Sequence, residues 1–245
     1  MHLLLINPNT TASITDLILA EAGRIAAPTT TLAAVTGRFG ARYVASRAAY
    51  AIAGHAALEA YAEHGEKADA IVLACFGDPA LMALKEIAHQ PVIGMAEASC
   101  LAAAARGGRF SIVTGGERWK PMLEEFVALI GLADRLASVE TVAPSGADIA
   151  RDPGGALGLL ADACNAAVTR HGADNVILAG AGLVGLATRI AARVPVPLID
   201  SLEASIHMAE KLAAEATATL PSGDSGRPAG VASVGLAEAL AGKLR

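Results

Sequence analysis

The chain carries two copies of one pattern, and that repeat limits what it can fold into more than any other feature. Residues 68–81 (ADAIVLACFGDPAL) lie over residues 173–186 (ADNVILAGAGLVGL), with identities recurring at a constant offset of 105. One gap later, residues 91–99 (PVIGMAEAS) meet residues 197–205 (PLIDSLEAS). The apolar stretch from Leu3 to Asn7 corresponds in the same way to that from Phe110 to Thr114, and both end in a polar turn that opens a helix. The repeat therefore spans most of the chain and reads as one duplicated supersecondary unit.

Within each copy, short β-rich apolar runs alternate with long Ala-rich stretches. This predicts eight parallel strands near 2–6, 30–35, 69–74, 91–95, 109–113, 138–143, 175–179 and 196–199, joined by helices. The chain is 53% hydrophobic but only 3% aromatic, so its core must be built from Ala, Val, Leu and Ile, as in sheets covered by Ala-rich helices. Eight such units can also close a single (β/α)8 barrel. Duplication favours instead an α/β protein of two pseudo-symmetric domains, each a four-stranded parallel sheet flanked by helices, with the active site at their interface. The expected division is 1–97 with 206–245 against 98–205. Residues 220–230 (LPSGDSGRPAG) read as a flexible turn before a last amphipathic helix that packs back onto the first unit.

Composition excludes several classes of function. The formal net charge is -5 and no Lys/Arg run interleaves with aromatics, so nucleic acid is not an expected partner and a small organic ligand is. The opening apolar run from His2 to Ile6 stops at Asn7-Pro8-Asn9, too short for a signal peptide or a membrane span, which predicts a cytoplasmic protein with no membrane partner. Cys75, Cys100 and Cys164 show no CxxC spacing, and the six histidines form neither HxH nor HExxH, so neither disulfides nor a metal site is expected.

Paired loops at the carboxyl ends of the strands, 7–11 with 75–79 and 114–118 with 180–185, would face one ligand across a shared crevice. In Ala74-Cys75-Phe76-Gly77-Asp78-Pro79 the strand ends at Cys75, Asp78 suits a helix N-cap and Pro79 the first helical position. A thiol at a helix N-terminus is expected to ionise below its ordinary value of about 8.5. The plainer reading of Cys75 is a small core residue, which is the reading preferred for Cys100 and Cys164 in their Ala-rich helices. Asn7, Asn9 and Thr10 in the first copy, and Thr114 and Gly115 in the second, can offer donors to a carboxylate or imide; ordinary helix capping explains them equally.

Gly180-Ala181-Gly182-Leu183-Val184-Gly185, with Asp200 ending the next strand, mimics a dinucleotide-binding fingerprint. A Rossmann unit needs a further strand beyond the acidic residue, and here helix, turn and helix follow. Gly180 also stands opposite Cys75 in the repeat, so this loop is better explained as a diverged copy of the thiol loop than as an NAD site.

Together, Ile6-Asn7-Pro8-Asn9-Thr10, Ala74 to Pro79, Gly94-Met95-Ala96-Glu97-Ala98, Arg109 to Thr114 and Pro197-Leu198-Ile199-Asp200 resemble the Asp/Glu/hydantoin racemase superfamily, in particular its hydantoin and allantoin racemase branch. The resemblance implies an isomerase with an interdomain site, no metal, no organic cofactor and an assembly of several copies. It implies that one cysteine from each half flanks the substrate carbon, with Cys75 the first of them. Asn7, Asn9, Thr10, Thr114 and Gly115 would bind the carboxylate, ureido or imide group, Phe39 and Tyr43 would line the pocket, and Phe76, Gly77, Asp78, Gly180 and Ala181 would complete it. The departure is at the second thiol, where the family reads Gly-Cys-Ala-Gly-Met and this chain has Ala179-Gly180-Ala181-Gly182-Leu183. Glycine exchanges no proton. Three readings stay open: a racemase whose second proton comes from another group or from water, a single-thiol decarboxylase of the arylmalonate type, and a non-catalytic binder.

Overall fold

Each copy builds its own parallel sheet. In the computed structural model, which describes residues 1–218, 230 and 232–244, the first sheet holds β1 (His2–Asn7), β2 (Thr31–Thr36), β3 (Ala70–Leu73) and β4 (Val92–Gly94) in the order β2-β1-β3-β4. The second holds β5 (Phe110–Gly115), β6 (Leu136–Val142), β7 (Asn175–Ala179) and β8 (Leu198–Asp200) in the matching order β6-β5-β7-β8. All pairings are parallel, and the eight strands fall within a few residues of their expected places. Two open sheets, not one barrel, are therefore the architecture.

Strands buried on both faces need helices on both faces. The helices α1 (Ala12–Ile25), α2 (Arg47–His64), α3 (Leu81–Ile87) and α4 (Met95–Ala105) belong to the first copy. After them come α5 (Trp119–Leu129), α6 (Gly146–Arg151), α7 (Pro153–His171), α8 (Leu186–Ile190) and α9 (Ser201–Ala218). The largest apolar cluster runs through both sheets, joining Leu3, Leu5 and Val72 to Phe110, Ile112 and Ile177 by way of Met95, Cys100, Leu202 and Ile206. Those last four lie on α4 and α9, which pack on each other and on strands of both sheets. The expected division at 97/98 and 205/206 falls inside these two helices.

The outer face of each sheet has its own smaller core. Leu4, Ile6, Ile71 and Leu73 bury with Tyr61 and Leu84, while Val113, Val176 and Leu178 bury with Leu160 and Cys164. A short last helix, α10 (Glu238–Lys243), packs on α2 and buries Leu240 in the first of these clusters, so the chain does end against the first unit. The turn expected at 220–230 lies, apart from residue 230, outside the described residues. No helix among the described residues is long and apolar enough to cross a membrane.

In a sheet of order 2-1-3-4 the connections diverge between β1 and β3, and a crevice opens at the carboxyl ends of those strands. The same holds between β5 and β7. The fold thus gathers the loops after four strands, two from each copy, at one place.

Candidate active site

Where those strand ends meet, a cavity of about 40 Å³ is lined from both copies by Asn9, Tyr43, Cys75, Phe76, Thr114 and Gly180, among others. It has room for a few waters and is far below the several hundred Å³ of a typical ligand pocket, so a ring-sized ligand requires the loops to part. An outer groove of about 620 Å³ adjoins it, sharing Ile14, Tyr43 and Ala147 and bearing Thr10, Arg42 and Arg151. Those three shared residues separate the two spaces.

Cys75 follows β3 and lines the cavity, with 7% of its surface exposed. Contrary to the sequence expectation, the thiol is not eased into its ionised form. Burial, and then the charge of Asp78, push it up to about 12. The expected helix dipole is weak because α3 has only seven residues and starts at Leu81, two positions after Pro79.

Asp78 does not cap that helix either. Gly77 (φ 103) and Asp78 itself (φ 55) turn the chain through the left-handed region, and the buried carboxylate accepts from the N–H groups of Ala96 (2.9 Å) and Glu97 (2.7 Å) at the start of α4. Gly94 leaves the space for it, since a Cβ there would strike the Asp78 carboxylate. In the second copy the roles are exchanged along the sequence. Asp200, at the position matching Gly94, accepts from Leu202 N–H (2.9 Å) and Glu203 N–H (3.4 Å) at the start of α9 and from Gly185 N–H (2.8 Å). This commits Asp200 to the loop and helix of its own fold, not to a ribose.

Burial pushes the Asp78 carboxyl up to about 8, against the pull of its two N–H donors. A carboxyl raised in the folded state stabilises most fully below its unfolded value of about 3.9, and that contribution is lost as pH rises through 8. Asp78→Asn, whose amide nitrogen cannot accept, should cost about 1–3 kcal/mol. The gap between wild type and variant in urea unfolding is expected to be wider at pH 5 than at pH 8.5, and a gap that widens at the higher pH would contradict this.

The loop after β1 is held by its own amides. Asn7 Nδ2 donates to Asn9 Oδ1 (3.1 Å) and Thr15 Oγ1 (3.0 Å), and Thr11 N–H donates to Asn9 Oδ1 (2.8 Å). Asn7 is thus a brace behind the cavity, whereas Asn9 lines it, and Asn9 Nδ2 has no protein acceptor among the described residues. From the second copy, Thr114 lines the cavity too, and its Oγ1 donates to the Ala179 carbonyl (2.8 Å). Ala181 to Leu183 form one 3-10 turn that lines the cavity, and its first N–H groups, those of Ala181 and Gly182, have no acceptor among the described residues.

Tyr43 crosses from the first copy to the second. Its hydroxyl donates to the Gly115 carbonyl (3.1 Å) and accepts from Gly146 N–H (3.1 Å) and from the Trp119 side chain. Trp119, at the first turn of α5, also packs on Gly77, where a Cβ would come within 2.7 Å of the indole.

Among the residues expected at the site, Asn9, Tyr43, Cys75, Phe76, Thr114, Gly180 and Ala181 line the cavity. Thr10 lies in the outer groove. Gly115 contributes the carbonyl that holds Tyr43, and Gly77 and Asp78 shape the thiol loop from behind. Phe39 is brought elsewhere: its ring sits edge-on to His55 on α2, with centroids 5.0 Å apart. Sequence reasoning missed Ile14, Val44, Trp119, Gly146 and Ala147. Trp119 alone carried a signal, being the single tryptophan of the chain at the opening of a helix.

A duplicated α/β protein with one thiol lining a cavity at the junction of its halves is thus the class that fold and site define. Residues 3–209 match the Asp/Glu/Hydantoin racemase family, and the chain belongs to it. It is 34% identical over 216 residues to a hydantoin racemase of Paenarthrobacter aurescens, covering 87% of this chain and 92% of that one. Among solved structures it is similar to the allantoin racemase from Klebsiella pneumoniae (TM-score 0.87, 31% identity, 98% of each chain covered). It is also similar to the allantoin racemase from Pseudomonas fluorescens (TM-score 0.85, 30% identity, 88% of this chain and 92% of that one).

Proposed function

We propose that the protein is a racemase acting on the α-carbon of a hydantoin-like ring or an amino-acid derivative, with Cys75 as an acid/base group. The observation that carries this reading is the thiol at the carboxyl end of β3, facing a cavity lined by both copies. A carbon flanked by carbonyls gives up its proton only if the developing enolate is stabilised, which calls for donors fixed in advance. Asn9 Nδ2 and the N–H groups of Ala181 and Gly182 are such donors. In this reading protein groups alone move the proton, without a cofactor. A substituent on the ring has the outer groove to enter, past Ile14 and Ala147.

The test is an enantiopure 5-monosubstituted hydantoin in heavy water, followed by polarimetry and by α-deuterium uptake. Both signals are expected with wild-type protein, and replacing Cys75 should slow racemisation by about 10²-fold or more. With a thiol pushed up to about 12, the thiolate fraction grows about tenfold per pH unit, so kcat/KM should climb from pH 7 to 9 for a substrate that does not itself titrate there. Binding without any Cys75-dependent exchange would leave a non-catalytic binder.

A second reading draws on the protonation of that thiol. A thiol that holds its proton at neutral pH, in a cavity where the matching position of the second copy is a glycine, is suited to delivering one proton to one face of an enolate, as a decarboxylase of disubstituted malonates requires. A chiral monoacid formed from such a malonate, with no racemisation of the hydantoin, would favour it over the first.

A further inference from the structure

A two-sided proton exchange needs a group on the face opposite Cys75, and Gly180 supplies none. Of the protic side chains that line the cavity, Asn9, Tyr43, Cys75, Thr114 and Trp119, only the phenol and the thiol exchange protons as general acids and bases. Tyr43 is also on the vacant side. Its hydroxyl is fixed to the Gly115 carbonyl and the Gly146 N–H, both of the second copy, and Gly146 abuts Gly182 in the loop that begins at Gly180. Burial holds the Tyr43 phenol above its ordinary value, so it rests as a protonated acid, while Gly146 N–H and the Trp119 side chain, which meet its oxygen, oppose that rise and ease a transient phenolate. Tyr43 and Cys75 both come from the first copy, but the phenol oxygen is held by backbone of the second, beside the loop that corresponds in the repeat to the Cys75 loop.

We propose that Tyr43 is the second acid/base group of this site, taking the place that a thiol at position 180 would hold. The proposal rests on the racemase reading. For one enantiomer the Cys75 thiolate takes the α-proton, and the electron pair of the broken C–H bond moves into the adjacent carbonyl as an enolate. The Tyr43 O–H bond then breaks and its proton forms a new C–H bond on the opposite face, which leaves a thiol and a phenolate. From that state the other enantiomer runs the same steps in reverse. One proton enters and one leaves, so no outside reactant is needed.

The test separates the two directions. Each enantiomer of a hydantoin bearing a fluoromethyl group at C5 can lose its α-proton to one base and then expel fluoride from the enolate, with no reprotonation. Fluoride release thus reports which base serves which enantiomer. Wild-type protein is expected to release fluoride from both. Tyr43→Phe should shift the ratio of the two rates at least 100-fold against one enantiomer, and Cys75→Ala should shift it as far against the other. Tyr43→Phe combined with Gly180→Cys should move the ratio back toward one. A Tyr43→Phe protein that slows both enantiomers in parallel has lost only an architectural contact, and one that slows neither has lost nothing; either result overturns the assignment. Wild-type protein that neither releases fluoride nor exchanges the α-proton of any hydantoin refutes the racemase reading itself, and Tyr43 with it.

Discussion

Cys75→Ala is expected to give a folded protein that racemises an enantiopure hydantoin about 10²–10⁴-fold more slowly than wild type, the range general acid–base catalysis commonly supplies. The substitution removes a single sulfur from a loop whose shape is set by other groups. Tyr50 Oη donates to the Gly77 carbonyl (2.7 Å), and Asp78 ties the far end of the loop to α4. The loss should therefore appear in rate and not in fold. Cys100 and Cys164 provide the comparison, since both are fully buried in helices and neither lines the cavity. Cys100→Ala and Cys164→Ala remove the same atom and should lower thermal stability slightly with turnover unchanged. Melting curves and polarimetry on the three variants decide the matter. Retention of wild-type turnover by Cys75→Ala would remove the thiol from the chemistry.

The repeat made the architecture legible because parallel strands covered on both faces are written as uninterrupted apolar runs, and here every such run became a strand. It also placed Cys75 and Gly180 opposite each other, since equivalent positions in two copies of a unit occupy equivalent strand ends. Rules that look only at neighbouring residues failed where a partner came from afar. Asp152-Pro153 obeys the local capping rule, with Asp152 accepting from Gly155 N–H (3.1 Å) at the start of α7. Asp78-Pro79 is the same dipeptide, yet Gly77 turns it away from its own helix, and the space left by Gly94 draws the carboxylate to α4. Nothing in a window around Asp78 reports a vacancy beside β4. The thiol was misjudged for a related reason: a dipole can be read from the sequence, whereas the depth at which a loop is buried depends on how the two copies dock. Docking also decides that Trp119 and Gly146 wall the cavity and that Phe39 does not.

At Gly180 the geometry of space and the geometry of the backbone pull in different directions, which makes Gly180→Cys the most informative gain-of-function change. A Cβ built there would lie 3.6 Å from Leu183 Cδ1 and 3.6 Å from Thr114 Oγ1, ordinary contacts, so a side chain has room. The backbone is at φ 124 and ψ 144, a region essentially reserved for glycine, and holding any other residue there costs about 1–3 kcal/mol. At roughly 2–4 °C per kcal/mol for a chain of this size, the melting temperature should fall by several degrees unless the peptide rotates. Racemisation should nevertheless rise, by about 10- to 100-fold, because a thiol is inherently more acidic than a phenol, burial in this cavity pushing both up, and the thiol would stand at the strand end matching Cys75. Gly180→Ala carries the same backbone cost and no proton. It should match the cysteine variant in melting temperature and gain no activity. If alanine raises the rate as much as cysteine, relief of loop mobility and not the thiol is responsible. If neither raises it, position 180 has no access to the reacting carbon, and the pseudo-twofold relation of the two strand ends does not extend to the chemistry.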